Sequence, residues 1–338
     1  VQTCALPIYI FKKITVVPQG KSHGLVMFLD WSGSMAGHLG STIKQLINLV
    51  LFCKKVNIPY DVYTFIDSGT ATRQQENKSG DLYLSRFGII NILSSKMTAG
   101  NFTYAASALL RMGGLNQTTT AFKPSFMHLN GTPLNEAVIA AFEIVPKFQK
   151  ENRLQVVNTV FLTDGEGAMM YSINGEYSSA RDFTTMVMCD PVTRNEEVWD
   201  KNNARYSSHS AMKQTDGLIR LLRKRTNSNV IGFFIAGSGT LMGRSEYFFP
   251  QKMTAQERYA FNDRMRVEFN KNDHIVVTAT GFDEYYVLKS NAMDEYEDDE
   301  LVFKENATTR GMANAFAKYA GNKITSRVVL NRFIGLIT

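Results

Sequence analysis

The sequence predicts an α/β fold in which a doubly wound, mostly parallel β-sheet is flanked by helices. Three short runs are largely apolar at successive positions, as strands buried on both faces of a parallel sheet are. They are residues 25–29, 156–162 and 230–235. Patterns with helical spacing separate these runs. Because strand and helix alternate along the chain, we expect helices to cover both faces of one sheet.

The other predicted elements follow the same alternation. An apolar stripe at helical spacing comes directly after the first strand and comprises Leu39, Ile43, Leu46, Ile47, Val50 and Leu51. Further helices are predicted at 134–145, 217–225, 254–271 and 307–320, with Thr254 opening the third of these. Further strands are predicted at 61–66, 274–279 and 284–288.

Two long segments exceed what this frame requires. Residues 68–130 contain a possible strand-and-helix piece at 80–93 and a short helix at 103–112, and residues 168–210 contain a hairpin signal at Asn174-Gly175. Both leave from strand ends, so they either form a lid or a partner-binding rim, or decorate the fold elsewhere. We expect residues 9–338 to form a single domain with these insertions and a C-terminal extension from about residue 240.

Oxygen-bearing side chains follow the first apolar run directly. Asp30, Ser32 and Ser34 form an Asp-x-Ser-x-Ser turn at the predicted carboxyl end of that strand. One carboxylate and two hydroxyls, without nitrogen or sulfur, suit a hard divalent cation such as Mg²⁺. The turn by itself supplies half of a coordination sphere.

Two distant segments supply the remaining oxygens. Asp164 follows the predicted strand 156–162, and Thr132 lies at or beside the N-cap of the helix 134–145, with Pro133 as its first residue. Ligands of open α/β sheets bind outside the carboxyl ends of the strands, where the strand order reverses. We therefore predict one metal site at that edge. The alternative is that the three hydroxyls only cap helices.

These five residues, in this order, resemble the metal-ion-dependent adhesion site of von Willebrand factor A domains. The family pattern is Asp-x-Ser-x-Ser, then a distant Thr, then a distant Asp, and the contexts Gly-Thr-Pro-Leu and Thr-Asp-Gly strengthen the match. The resemblance implies the fold, a bound Mg²⁺ (or Mn²⁺ or Ca²⁺), and an open coordination position that accepts an Asp or Glu carboxylate from a protein partner.

Among intracellular members, the wording Asp-Trp-Ser-Gly-Ser-Met resembles the cobalt chelatase CobT-type subunit and similar proteins encoded by tailed phages. This likeness implies that the chain binds a partner through the metal. The implied partner is a ring-forming AAA+ ATPase of the MoxR/CobS type. It covers residues 24–240 at the level of the fold and is specific at the five ligand positions.

Catalytic motifs are scarce. There is no phosphate-binding Gly-x-x-x-x-Gly-Lys-Ser/Thr loop and no His-x-x-x-His pair, and Ser34 does not lie in a Gly-x-Ser-x-Gly elbow. His38 lies near the metal turn in sequence, as a candidate base or as a polar residue at a helix start. We expect a binding protein rather than an enzyme. Two alternatives remain: a metal-dependent hydrolase or peptidase, and a structural virion or adhesion component.

Composition places few further limits on function. The formal net charge of +6 over 338 residues is modest, and no apolar run is long enough to span a bilayer. The basic cluster at 220–225 is interpreted as a solvated helix face rather than a nucleic-acid surface. The acidic run 294–300 is a solvated loop or a source of carboxylates for a partner. With Cys53 and Cys189 as the cysteines beyond Cys4, we expect no disulfide framework and a cytoplasmic location.

Residues 1–8 have an unusual origin. Val-Gln-Thr-Cys-Ala-Leu-Pro-Ile is the translation of the end of a common sequencing adapter, and we interpret it as an assembly artefact. We expect the sequence to derive from environmental DNA and the natural protein to extend upstream of Tyr9.

Overall fold

A seven-stranded sheet organises the part of the chain that the computed structural model describes. The described residues are 22–68, 78, 80–82, 84, 86–115, 127–170, 185–200, 207–243, 245–248, 253–277, 280–290, 332 and 335. The strands are β1 His23–Asp30, β2 Tyr60–Asp67, β3 Phe87–Ser94, β4 Val156–Thr163, β5 Thr185–Cys189, β6 Glu196–Asp200, β7 Asn229–Ala236, β8 His274–Val277 and β9 Glu284–Lys289.

The sheet has the order β3-β2-β1-β4-β7-β9-β8. β1, β2, β4, β7 and β9 run parallel, whereas β3 and β8 pair antiparallel at the two edges. The chain builds outwards from β1 to β2 and β3 and then returns to add β4 on the other side of β1. The strand order therefore reverses between β1 and β4, and the predicted doubly wound, mostly parallel fold is confirmed.

Helices cover both faces of the sheet. They are α1 Leu39–Lys55, α2 Ala99–Leu115, α3 Leu134–Asn152, α4 Ser207–Thr226, α5 Ser238–Gly243 and α6 Ala255–Asn272. α1 and α2 supply one apolar core, and α3, α4, α5 and α6 supply the other. β1 feeds both cores because alternate residues point to opposite faces: Leu25 and Met27 lie in the first, and Val26 and Phe28 in the second.

Apart from the helix expected within the 80–93 piece, the predicted elements agree with the structure wherever they fall on described residues, and several are longer. The helix predicted from residue 134 continues through Pro146 to Asn152, because Phe148 keeps the apolar stripe in the core beyond the proline. α6 begins with a capping box between Thr254 and Glu257. The hairpin at 174–175, the helix at 307–320 and the acidic run 294–300 lie outside the described residues.

The two long segments contribute ordered structure. The first forms β3 at an edge of the main sheet, and α2, which packs on α1. No helix is found among the described residues of 80–93. The second forms the separate antiparallel hairpin of β5 and β6, which packs against α4. Beyond residue 240, β8 and β9 extend the main sheet.

None of the helices that the structure describes combines the length and the apolar character needed to cross a membrane.

Replacing Gly281 by alanine tests how tightly the segment before β9 packs on α4. A Cβ at this position would lie 2.3 Å from the backbone oxygen of Asp216, and a helix backbone cannot move aside like a flexible side chain. We expect Gly281→Ala to lower the free energy of unfolding by about 1–3 kcal/mol in urea titrations. Gly100→Ala is the control, because a Cβ there meets nothing within 4 Å. Equal stability of the two variants would contradict the packing.

Candidate metal centre

The predicted site lies at the point where the strand order reverses. Asp30 is the last residue of β1, and Asp164 follows the last residue of β4. The two strands are neighbours, and their register pairs Leu29 with Leu162. The carboxyl ends of β1 and β4 therefore lie side by side, which is where ligands bind in such sheets.

The turn after β1 is fastened to the segment that leads to Thr132. The backbone N–H of Gly33 donates to the carbonyl of Asn130 at 2.8 Å, and Ser32 forms a β-bridge with Asn130. The buried indole of Trp31 donates from Nε1 to the carbonyl of Met127 at 3.0 Å. The Asp-x-Ser-x-Ser turn is thus held by contacts with residues about a hundred positions away along the chain.

The predicted ligands approach one another from three segments. Ser34 Oγ donates to Asp164 Oδ1 at 2.7 Å, and the hydroxyl oxygens of Ser32 and Ser34 are 3.1 Å apart. A Cβ on Gly165 would lie 2.7 Å from Thr132 Oγ1, so the Thr132 hydroxyl lies directly against the turn that follows Asp164. The structure therefore brings the turn after β1, the segment before α3 and the turn after β4 to one place.

The alternative interpretation, in which the hydroxyls serve as helix caps, is wrong. The 3-10 turn Ser34–Gly37, α1 and α3 each begin without a side-chain capping hydrogen bond. The sequence also predicted Pro133 as the first helical residue, whereas Pro133 is the N-cap and the helix begins at Leu134. The reason is the backbone conformation of Pro133, whose ψ of 59° is not helical. The Thr132 hydroxyl is therefore not used as a cap.

The Asp30 carboxylate is completely buried, and one of its oxygens lacks a partner. Oδ2 accepts a hydrogen bond from Thr163 Oγ1 at 2.5 Å, whereas Oδ1 has no partner among the described residues. Burial and, to a smaller extent, the nearby charge of Asp164 raise the pKa of Asp30 to about 7 against the opposing effect of hydrogen bonds from Thr163 and Ser32. Leaving a buried acceptor unsatisfied costs about 1–3 kcal/mol. A cation at this oxygen would remove that cost.

The donor set fits Mg²⁺ better than a softer metal. Carboxylate and hydroxyl oxygens are hard ligands. In the described part of the chain, no group of three or more His, Cys, Asp or Glu side chains is arranged to hold a metal ion, so a centre here depends on two carboxylates supplemented by hydroxyls. Asp30 and Ser32 are buried, Asp164 is partly exposed and Ser34 is exposed. The site is therefore closed on the protein side and open on the other.

Sequence reasoning missed two residues that shape the site. The Thr163 hydroxyl fixes one oxygen of Asp30 and also accepts the N–H of Gly165 at 3.0 Å. Trp31 lies between two of the predicted ligands and was not assigned a role. A polar residue at the end of an apolar strand is a usable signal for Thr163, whereas the partner of the Trp31 indole, Met127, is not readable from local sequence.

The basic cluster on α4 is neutralised by carboxylates. Each of its four cations forms at least one ion pair, and these are Arg220–Glu197, Lys224–Glu197, Arg223–Asp283, Arg225–Asp190 and Arg225–Glu143. The cluster therefore stabilises contacts of α4 with its neighbours, and it does not present the unpaired positive face that phosphate binding requires.

Comparisons with known proteins give distant structural similarity. No protein-family model matches the chain, and no curated protein is significantly similar to it. The pilus adhesin SpaC from Lactobacillus rhamnosus GG in its open conformation matches with 13% identity and a TM-score of 0.38, over 76% of this chain and 32% of that one. The human COPII-coat protein Sec24c matches with 11% identity and a TM-score of 0.32, over 76% and 33%. This chain spans about a third of the length of these structures, and likeness at this level assigns neither family nor function.

A further buried acid lies near the same edge of the sheet. Glu136, in the first turn of α3, is 6% exposed, and its Oε2 has no partner among the described residues. Burial raises its pKa to about 7, and the charge of Asp67 at the end of β2 contributes to the shift. Asp67 also accepts the N–H of Gly131 at 3.4 Å, next to Thr132.

Replacing Glu136 by glutamine should stabilise the protein in a pH-dependent way. Because the folded pKa of about 7 exceeds the ordinary glutamate pKa of 4.5, the unfolded chain releases this proton first as pH rises, and the folded state is progressively penalised. We expect little effect of Glu136→Gln below pH 4.5, and a gain of about 1–3 kcal/mol above pH 7, in urea unfolding with EDTA. Glu268→Gln on the exposed face of α6 is the control, and a pH-independent difference for Glu136→Gln would refute the assignment.

Proposed function

We propose that this chain is a metal-dependent protein-interaction module whose centre comprises Asp30, Ser32, Ser34, Thr132 and Asp164. The observation that carries the proposal is the 2.7 Å contact of Ser34 with Asp164, beside a buried Asp30 oxygen that has no partner among the described residues. A set of oxygens that is joined across two strand ends and retains an unpartnered carboxylate oxygen is suited to a divalent cation. Mg²⁺ is the expected ion, with Mn²⁺ or Ca²⁺ as substitutes.

The charges of this centre favour recruitment of an acidic partner. Two carboxylates balance a divalent ion, and three neutral hydroxyls add no further charge. Bound Mg²⁺ would supply an open coordination position for an Asp or Glu carboxylate of a partner. The exposed hydroxyl of Ser34 and the partly exposed carboxylate of Asp164 lie on the side from which a partner approaches.

The chain's own residues keep the centre in position. Thr163 donates to one oxygen of Asp30, and the other has no partner among the described residues. Gly165 allows the Thr132 hydroxyl to approach, since a side chain there would displace it. Trp31 anchors the first turn. These contacts hold ligands at fixed positions, which lowers the entropy lost when a partner binds.

The partner that we propose is a ring-forming AAA+ ATPase of the MoxR/CobS type, with both proteins in the cytoplasm. Support comes from the Asp-Trp-Ser-Gly-Ser-Met turn, which resembles the CobT-type subunit, and from the ordered set of five ligand positions. A phage origin is compatible with this role.

A non-catalytic role is favoured over hydrolysis. Ser34 donates its hydroxyl proton to the Asp164 carboxylate rather than to an imidazole, and an activated serine nucleophile requires a base of suitable pKa. The virion or adhesion alternative uses the same centre for assembly, and proteomics of purified virions distinguishes it from an ATPase-binding role.

Replacing Asp30 by asparagine should change stability in opposite directions with and without metal. In EDTA, the variant loses a buried carboxylate, and we expect its melting temperature to rise above that of the wild type. With Mg²⁺ at a hundred times its dissociation constant, the wild type should gain about 2.7 kcal/mol, whereas Asp30→Asn and Asp164→Ala should gain nothing. Differential scanning calorimetry measures both effects.

The matched control for this experiment is Asp263→Asn, an exposed carboxylate of α6 that pairs with Arg266. It should keep the full Mg²⁺ response. A wild-type protein whose melting temperature is the same in Mg²⁺ and in EDTA would contradict the metal centre.

Partner capture tests the second half of the proposal. We expect the tagged wild type to retain an AAA+ ATPase from host lysate in Mg²⁺, as identified by mass spectrometry, and to release it in EDTA. Asp164→Ala should fail to retain it in either buffer, and Asp263→Asn should behave as the wild type. Equal retention of the ATPase in all conditions would exclude a contact made through the metal.

A further inference from the structure

A buried polar network joins α3, α4 and the segment that follows Asp164. Asn135 and Gln214 are fully buried, and Thr215 is nearly so. Thr215 Oγ1 donates to Asn135 Oδ1 at 2.6 Å, and Asn135 Nδ2 donates to Gln214 Oε1 at 3.3 Å. Two helices are thus connected through amide and hydroxyl groups inside the core.

The network holds the backbone of residues 165–170. Gln214 makes a reciprocal pair with Met170, since its Oε1 accepts the Met170 N–H at 2.7 Å and its Nε2 donates to the Met170 carbonyl at 3.0 Å. Asn135 Nδ2 donates to the carbonyl of Ala168 at 2.9 Å. A Cβ on Gly167 would lie 2.9 Å from Asn135 Oδ1, so the amide also packs directly against this backbone.

These hydrogen bonds hold the part of the chain that lies next to the proposed metal centre. The fixed segment begins immediately after Asp164, and Asn135 is three residues from Thr132. Backbone groups in an irregular segment need partners when they are buried, and here side chains of α3 and α4 supply them. The same contacts limit where the turn carrying Asp164 can lie relative to Thr132.

We propose that Asn135 and Gln214 are positioning residues of the metal centre, which hold the 165–170 segment so that Asp164 and Thr132 present their oxygens to one divalent cation. This inference rests on the proposed metal-binding function. Outer residues that orient ligands act on metal affinity without contacting the ion. The network therefore sets affinity for the cation, beyond its contribution to stability.

The test compares Gln214→Met with a control on the same helix. Gln214→Met conserves length and volume but removes both bonds to Met170. Thr226→Val removes another buried hydrogen bond of α4, from Thr226 Oγ1 to the Leu222 carbonyl at 2.8 Å, at the opposite end of the helix. We expect calorimetric titration with MgCl₂ to show an affinity loss of about tenfold or more for Gln214→Met and an unchanged affinity for Thr226→Val.

Hydrogen exchange in EDTA gives a readout that does not require the metal. Amides of residues 165–170 should exchange faster in Gln214→Met than in the wild type, and at the wild-type rate in Thr226→Val. Thr215→Val is the milder variant, because it removes the hydroxyl that donates to Asn135 and contacts the Ala211 carbonyl at 3.1 Å but leaves both bonds of Gln214 to Met170 in place. If Gln214→Met does not fold, Thr215→Val is the deciding variant, and we expect it to show a smaller loss of Mg²⁺ affinity.

Three results would overturn the inference. Wild-type Mg²⁺ affinity in Gln214→Met, or in Thr215→Val where it is the deciding variant, would show that the network does not position the ligands. An equal affinity loss in Thr226→Val would show that stability alone matters. A wild-type protein that binds no Mg²⁺ would refute both the proposed function and this inference. That result differs from the first one, in which the wild type binds Mg²⁺ normally.

Discussion

The parallel pairing of β1 with β4 is the constraint on which the candidate site depends. Its register places Leu29 opposite Leu162, so Asp30 and Asp164 follow within one residue of the same level at the sheet edge. A slide of two residues would shift the two carboxylates by roughly 7 Å relative to each other and leave every apolar side chain on its original face. The register is therefore specified by more than hydrophobic pattern. The turn contacts of Gly33 with Asn130 and of Thr163 with Asp30 help to fix it.

Asp30 carries a conflict between stability and function. A fully buried carboxylate is unfavourable to ionise, as its raised pKa reflects, and an apolar residue would suit this strand end better in a purely structural role. Thr163 offsets part of the penalty through one oxygen and leaves the other unpartnered within the described residues. Buried polar groups without a partner persist where a ligand supplies the missing contact, since proteins retain local instability chiefly at functional sites. Burial of the Asp30 carboxylate lowers the stability of the metal-free state. It also strengthens the attraction between this carboxylate and a cation, because water does not screen their charges.

Sequence patterns predicted the central strands and helices because buried parallel strands are apolar throughout and helices repeat at 3.6 residues. The five candidate ligand positions could also be named from the sequence, since they lie at strand and helix ends with a distinctive spacing. Long-range partners were not accessible. Nothing near Gln214 in the chain indicates that its amide pairs with Met170, 44 residues away. The antiparallel edge strand β3 was expected only as part of a mixed piece, because pairing direction depends on tertiary context. The carboxylates that neutralise the basic stretch of α4 were missed for the same reason.

α4 connects features that the sequence keeps apart. Its first half holds the segment after Asp164 through Gln214 and the segment before β9 through Asp216, which accepts the N–H of Gly281 at 2.9 Å. Its second half binds the β5–β6 hairpin through Arg220 and Glu197. One helix therefore connects the hairpin to the sheet edge that carries the candidate site. Coupling between sites requires an element with two arrangements, whereas buried amides with several matched partners favour one. α4 is thus better suited to keeping the centre preorganised than to switching it, and a partner would meet ligands already in place.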